Sequence, residues 1–342
     1  MVSEIAFTVK NLPRDSRNSV NEIQKTPSFK DSLSKMNKPK TSSGFRFFDN
    51  EQMYPDDNAS AWFDRLVGID DQKQGLLVEL ELLLRPDLVK QWSLDHHGEV
   101  LPACEVMATR APLVVLEGEV GCGKTVLAQT VGDPLARKLG SHVHLLKINT
   151  QVRGTGMVGE MTDLIAQAFS EVEEKARRNQ GEPVLLLIDE ADSLASKRAE
   201  QHMHHEDKAG VNTLLQRIDR LRAQGLPIAV IFITNRPDAL DSAIRRRAAT
   251  SIKFSRPNEE ARKELFKRNF PKLKLTDSKA KKLIEATGGN GKGQVCFTAS
   301  DITDRLIPNA IKYAYLNNLE ITVDGLLAMA QKMDATPPVD QL

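Results

Sequence analysis

The sequence predicts an α/β fold, a parallel sheet with helices on both faces followed by a small all-helical domain. Three observations carry that prediction. Short runs of purely apolar residues, Val184–Ile188 and Ile228–Ile233 among them, alternate with segments of helical periodicity through the middle of the chain. A strand that is apolar on both sides needs cover on both faces, as parallel sheets have when helices cross over them. Beyond Pro257 the strand signal stops and only helical spacing remains.

Residues 1–60 read as a largely disordered tail. From Arg14 to Ser43 the large apolar residues are only Val20, Ile23, Phe29, Leu33 and Met36, and seven basic residues face three acidic ones. Such a stretch cannot bury enough surface to offset its ordering entropy. A plain flexible tail and a short docking segment anchored by Phe45, Phe47 and Phe48 are both compatible with it. Residues 61–256 read as the α/β domain. Gln72–Leu84 has helical spacing and is stopped by Pro86. Pro112–Leu116 is a strand, Lys124–Leu139 a helix, His144–Asn149 a strand and Met161–Ala176 a helix. Val184–Ile188 is a strand, Val211–Leu221 a helix and Ile228–Thr234 a strand. Residues 257–342 read as the helical domain, with helices over Glu259–Phe270, Asp277–Thr287, Ser300–Leu316 and Val323–Lys332.

Composition excludes several classes. Among 342 residues, 47 Lys and Arg against 46 Asp and Glu leave a formal charge of +1, so no global field points to nucleic acid or an acidic membrane. Three well-separated cysteines, Cys104, Cys122 and Cys296, form neither a disulfide framework nor a metal knuckle. The apolar runs are far shorter than the roughly 20 residues that span a bilayer. Glu4 and Lys10 interrupt any secretory core at the N-terminus. A cytoplasmic protein is expected, without membrane or direct nucleic-acid contact.

Between the first strand and its helix stands Gly118-Glu-Val-Gly121-Cys122-Gly123-Lys124-Thr125. The glycines let the backbone fold into a nest of N–H groups at a helix N-terminus, which cradles phosphate oxygens. Lys124 would reach the terminal phosphates and the Thr125 hydroxyl would ligate Mg²⁺. The strand ending in Asp189-Glu190 adds two carboxylates at the edge where ligands of open α/β sheets sit. Asp189 would hold the metal shell, and Glu190 would orient or deprotonate a water. The next strand ends in Asn235, whose amide can bond both a γ-phosphate and the attacking water. Ten residues on stand Arg245, Arg246 and Arg247. An arginine offered to a neighbour's γ-phosphate is worth about 10³–10⁵ in rate.

In this order and spacing these elements resemble the AAA+ ATPases, from about Trp62 to the end of the chain. The resemblance implies a P-loop sheet with a helical lid domain, ATP and Mg²⁺ as cofactors, and a homo-hexameric ring. It implies that Gly118, Gly121, Cys122, Gly123, Lys124, Thr125 and Val126 bind the phosphates and that Thr125 and Asp189 hold the metal. Glu190 and Asn235 would act in hydrolysis, with Arg247, and Arg246 or Arg245 beside it, as the finger acting on a neighbouring subunit. Phe63-Asp-Arg-Leu-Val-Gly68-Ile69-Asp70 resembles the family's entry segment, which would place Gly68 and Ile69 against adenine.

Ala191-Asp192-Ser193-Leu194, Leu215-Gln216-Arg217-Ile218-Asp219-Arg220 and Arg247-Ala248-Ala249 are similar to the HORMA-domain-remodelling ATPases of the pachytene checkpoint type. That similarity implies ATP-driven partial unfolding of a HORMA protein threaded through the ring. For short bacterial members it also implies a regulatory place in antiviral nucleotide signalling. Three features depart from the group. Met157 and Val158 stand where a pore-loop aromatic is expected. Asp301 stands where a second sensor arginine is expected, with Arg305 one turn later. The tail is too short and polar to copy a folded recognition domain. His202, His204, His205 and Glu206 read as a polar loop, and Cys122 has no general base near it in sequence. A DNA-associated motor or loader and a nucleotide-gated scaffold without turnover are the competing functions.

Overall fold

The computed structural model describes residues 47–149, 160–179, 181–194, 205–273, 275, 278–289 and 295–339. The expected tail up to residue 46 lies outside them, as do Met157, Val158, His202 and His204.

Six strands form one sheet in the order β1-β3-β4-β5-β2-β6: β1 (Phe48–Tyr54), β2 (Leu113–Gly118), β3 (Val143–Ile148), β4 (Val184–Ile188), β5 (Ile228–Thr234) and β6 (Thr250–Phe254). The five from β2 to β6 run parallel, as expected from their apolar runs. Leu187 lies opposite Lys147 on one side and Ile231 on the other. The C-terminal ends of β3, β4, β5 and β2 therefore open on one edge.

β1 corrects the expected tail boundary. Residues 48–54 pair antiparallel with β3, Tyr54 opposite Val143 and Gln52 opposite Leu145. Phe48 joins the core on one face of the sheet and Tyr54 the core on the other, with Gln52 buried, Met53 exposed and a register shift between Phe48 and Asn50, so the segment is an edge strand. The Tyr54 hydroxyl donates to the Gln129 carbonyl, and a Cβ on Gly132 would fall 2.2 Å from the Tyr54 ring. The segment is thus locked against the first crossover.

The helices divide by face. α2 (Asp70–Leu84), α5 (Lys124–Thr130) and α6 (Gly132–Leu139) cover one side, where Leu76, Leu80, Leu127 and Leu135 pack on Val114, Leu145, Leu185, Leu187 and Ile231. The expected single helix over Lys124–Leu139 is these two, meeting at Val131. α7 (Glu160–Arg178) and α9 (His205–Gln224) cover the other, where Phe169, Val172, Leu214 and Ile218 pack on Val115, Leu146, Leu186 and Phe232. The remaining helices of this part are α1 (Asp57–Arg65), α3 (Asp87–His97), α4 (Pro102–Ala108), α8 (Ala191–Leu194) and α10 (Ser242–Arg247). Among the described residues no helix is long and apolar enough to cross a membrane.

The helical part has its own core around Phe266, Leu283, Phe297, Ile302, Leu306 and Leu326. It holds α11 (Glu259–Asn269), α12 (Ser278–Ala286), α13 (Ile307–Leu316) and α14 (Val323–Ala330). Asn258 caps α11 by accepting from Ala261 N–H at 2.8 Å, and Thr322 caps α14 by accepting from Gly325 N–H at 3.1 Å. The expected helix over Ser300–Leu316 instead opens with a π-helical turn over Asp301–Leu306. Pro308 has no N–H to continue the i−4 ladder, and Ile307 N–H reaches back five residues to Ile302 O.

Candidate functional site

The phosphate loop leaves β2 at Gly118 and enters α5 at Lys124. Gly118, Gly121 and Gly123 have φ of +129°, +70° and +91°, a region that only glycine enters without strain. The loop is also crowded. A Cβ on Gly118 would meet Phe254 O at 2.0 Å, and one on Gly121 would meet Thr298 Oγ1 at 2.8 Å. The backbone thus forms a concave cradle with no side chain to fill it.

Lys124 is 4% exposed and donates to the carbonyls of its own loop, Gly118 O at 2.8 Å and Glu119 O at 2.6 Å. Burial pushes its ammonium below the usual lysine range, against the opposing pull of Cys122, Asp189 and Glu119. Cys122 is buried beside it, and burial pushes its thiol up to about 11. A protonated, buried thiol is no nucleophile, in keeping with the expectation.

Asp189 lies at the mouth of β4. Its Oδ2 accepts from Thr125 Oγ1 at 3.4 Å, and its Oδ1 accepts from Glu190 N–H at 3.1 Å. Thr125 and Asp189 are thus together, as the expected metal pair requires. A hydroxyl, a carboxylate, a buried ammonium and an empty-sided glycine nest are the hard oxygen and cationic groups that Mg²⁺ and phosphate take. The residues fit the expected nucleotide. Glu190 is exposed and has φ of +52°, rare for a residue with a side chain. Asn235 follows β5 immediately and is half-buried, and Thr234 beside it is tied to Asp192 Oδ1 at 2.8 Å.

The entry segment meets the loop and the helical part. Gly68 has φ of +71°, and a Cβ there would stand 2.3 Å from Ala261 Cβ of α11. A Cβ on Gly123 would meet Leu66 at 3.2 Å and Ile69 at 3.6 Å. Gly68, Ile69, Gly123 and the first lid helix therefore converge, while Val126 is half-buried one turn into α5. Across the loop, Ser300 N–H donates to Gly121 O at 3.0 Å.

The arginine turn separates its members. Arg247 is bound by Asp219, with Nε 3.0 Å from Oδ1 and Nη2 3.0 Å from Oδ2. Arg245 lies 3.7 Å from Asp238, and Arg246 is exposed with no ion pair among the described residues.

Asp301 is 1% exposed and is no sensor substitute by charge. Its carboxylate accepts from Thr298 N, Thr336 N, Thr336 Oγ1 and Arg305 Nη1 at 3.0, 3.0, 2.7 and 2.6 Å. Burial pushes its carboxyl up, but those hydrogen bonds outweigh it and hold the group below the usual range. Arg305 is thereby tied to Asp301 and to Thr336.

Two charged residues escaped the sequence reading. Arg256 bonds Glu119 of the phosphate loop at 3.0 Å and the carbonyls of Cys296 and Thr336 at 2.5 and 2.8 Å, tying loop to lid. Its signal was its place directly before Pro257. Lys147 bonds Asp189 Oδ2 at 3.0 Å. Its signal was a charge at the end of the face that Val143 and Leu145 make apolar.

Residues 114–256 match the model of the family described as AAA, ATPase family associated with various cellular activities. The chain is 42% identical over 296 residues to CD-NTase-associated protein 6 of Escherichia coli (strain MS 115-1), covering 85% of this chain and 95% of that one. A chain of the solved E. coli MS115-1 HORMA:CdnC:Trip13 complex superposes with a TM-score of 0.81 at 42% identity, over 85% of this chain and 97% of that one. The structure of Rhizobiales Trip13 superposes with a TM-score of 0.68 at 37% identity, over 85% and 100%. The similarity thus extends over 95% or more of each of these relatives, and the chain belongs to the AAA ATPases, in the group of CD-NTase-associated protein 6 and Trip13.

Proposed function

We propose that this chain is an Mg-ATP-driven remodeller that partially unfolds a HORMA-domain protein as a ring hexamer in the cytoplasm, regulating an antiviral signalling system. The observation that carries the ATPase part is the meeting of a glycine cradle, Lys124, Thr125 and Asp189 at one sheet edge. The HORMA part is supported by the relative whose solved complex contains HORMA and CdnC alongside Trip13.

ATP is the substrate whose phosphoanhydride is cleaved, and Mg²⁺ bound at Thr125 and Asp189 would supply positive charge to its phosphates. Lys124 exchanges its two loop carbonyls for phosphate oxygens, and the N–H groups of the cradle hold the rest. Thr125 and Asp189 hold the metal. Glu190 takes the proton of the attacking water, which Asn235 orients from the neighbouring strand. Arg246 serves the site of the adjacent subunit, while Arg247 is kept by Asp219 as the base of that turn. Gly68 and Ile69 flank the adenine. Met157 and Val158 grip the substrate chain in the pore.

The test uses Glu190→Gln protein loaded with ATP and recovered from a lysate of its host. A HORMA-fold partner retained with ATP and absent without it is the expected result. Recovery of nucleic acid or replication proteins alone would overturn the substrate assignment and favour a DNA-associated motor.

A further inference from the structure

Asp189 is already neutralised by the chain itself. Lys147, on β3, reaches across to the end of β4 and places its ammonium 3.0 Å from Asp189 Oδ2. This is the same oxygen that faces Thr125 Oγ1 at 3.4 Å. The placement follows from the sheet. Val143, Leu145 and Lys147 share one face of β3, and Leu185, Leu187 and Asp189 share that face of β4 in parallel register. Lysine and aspartate therefore both follow an apolar stripe onto the phosphate-loop side of the crevice. Their side chains are 21% and 20% exposed, so the pair is only partly screened by water and stronger than an open surface pair.

Lys124, the other ammonium of the crevice, is satisfied by Gly118 O and Glu119 O. Among the described residues Lys147 is thus the cation that pairs with Asp189. A divalent ion held by Thr125 and Asp189 would draw on the same carboxylate, on the side where Lys147 and Thr125 both meet Oδ2. Two cations drawn to one carboxylate oppose each other, and by linkage each weakens the other by the same factor.

We propose that Lys147 is a resident counter-ion of the metal-binding carboxylate: it holds Asp189 Oδ2 while no divalent cation is bound and competes with Mg²⁺ for that carboxylate. Nucleotide binding by this chain then depends less on Mg²⁺ than Thr125 and Asp189 alone would make it, because a protein cation already supplies positive charge beside the phosphates. The proposal rests on the ATPase reading of the crevice. A purely structural β3–β4 ion pair would shift affinity with and without metal alike, which separates the two roles.

The test measures equilibrium binding of a fluorescent ADP to the full-length protein, once in EDTA and once in saturating Mg²⁺. The quantity read is the dissociation constant in EDTA divided by that in Mg²⁺. Lys147→Met raises that ratio about tenfold, a usual size for coupling between sites. Lys147→Arg, which keeps the charge, returns it toward wild type. In an Asp189→Asn background the Lys147→Met change leaves the ratio where it stands. A ratio unmoved by Lys147→Met in the otherwise wild-type chain overturns the proposal, whether both affinities fall together or neither changes. Wild-type protein that binds ADP in neither condition would sink the ATPase reading itself.

Discussion

Arg247 grips Asp219 of its own chain through two parallel contacts, Nε to Oδ1 and Nη2 to Oδ2, each 3.0 Å. That bidentate pair fixes the C-terminal turn of α10 against α9 and leaves the preceding Arg246 exposed. The two arginines are therefore expected to fail differently. Arg246→Ala lowers ATP turnover by about 10³ with the unfolding transition unchanged, as loss of a finger acting on a neighbour does. Arg247→Ala costs on the order of 1 kcal/mol of stability through the lost pair, read by denaturant titration. Full turnover in Arg246→Ala protein would remove Arg246 from the shared site.

Two phosphate-loop glycines can be ranked against Gly98, the left-handed residue that ends α3. Gly98 has positive φ and open space around it, so Gly98→Ala carries only the backbone strain, about 1 kcal/mol. Gly121→Ala adds close contact with the side chains of Thr298, at 2.8 Å, and Ser300, at 3.0 Å. Gly118→Ala drives a methyl against the Phe254 backbone at 2.0 Å, where no side chain can give way. Denaturant midpoints should fall in the order Gly98, Gly121, Gly118, with the last losing nucleotide binding as well.

The lid is sensitive to acid through Asp301. Its carboxyl titrates below the usual range near pH 4, so the unfolded chain binds this proton more readily than the folded one. The stability it contributes is complete above about pH 4 and is lost as pH falls through the lower folded value. Asp301→Asn protein should lose stability at neutral pH and show a flatter acid transition than wild type. An unchanged acid transition would show that Thr336 and Arg305 anchor the lid without this charge.

Legibility in the sequence tracked burial. β4 and β5 stood out because every residue from Val184 to Ile188 and from Ile228 to Thr234 is buried. β1 did not, because it pairs on one side only and Asp49, Asn50, Glu51 and Gln52 fill its middle, leaving no apolar run or alternation to read. The break between α5 and α6 had a local signal that the helical spacing masked, since Pro134 in Gly132-Asp133-Pro134 has no N–H to give to Thr130 O. The places of the glycine loop, Asp189 and Asn235 were readable because each directly follows a buried strand, β2, β4 or β5. The link from Lys147 to Asp189 was not, since it needs the register of two strands separated by all of α7. Asp301 was visible only as a missing arginine, and its role in holding Thr336 required the packed lid.

The most direct test of the account is phosphate release from Mg-ATP by wild-type and Glu190→Gln protein, with ATP binding measured in parallel. Removing the group that takes the water's proton should lower turnover by about 10² or more while ATP still binds, because Lys124, Thr125 and Asp189 are intact. Glu190→Gln protein that hydrolyses ATP at the wild-type rate, or wild-type protein that binds no ATP, would contradict it.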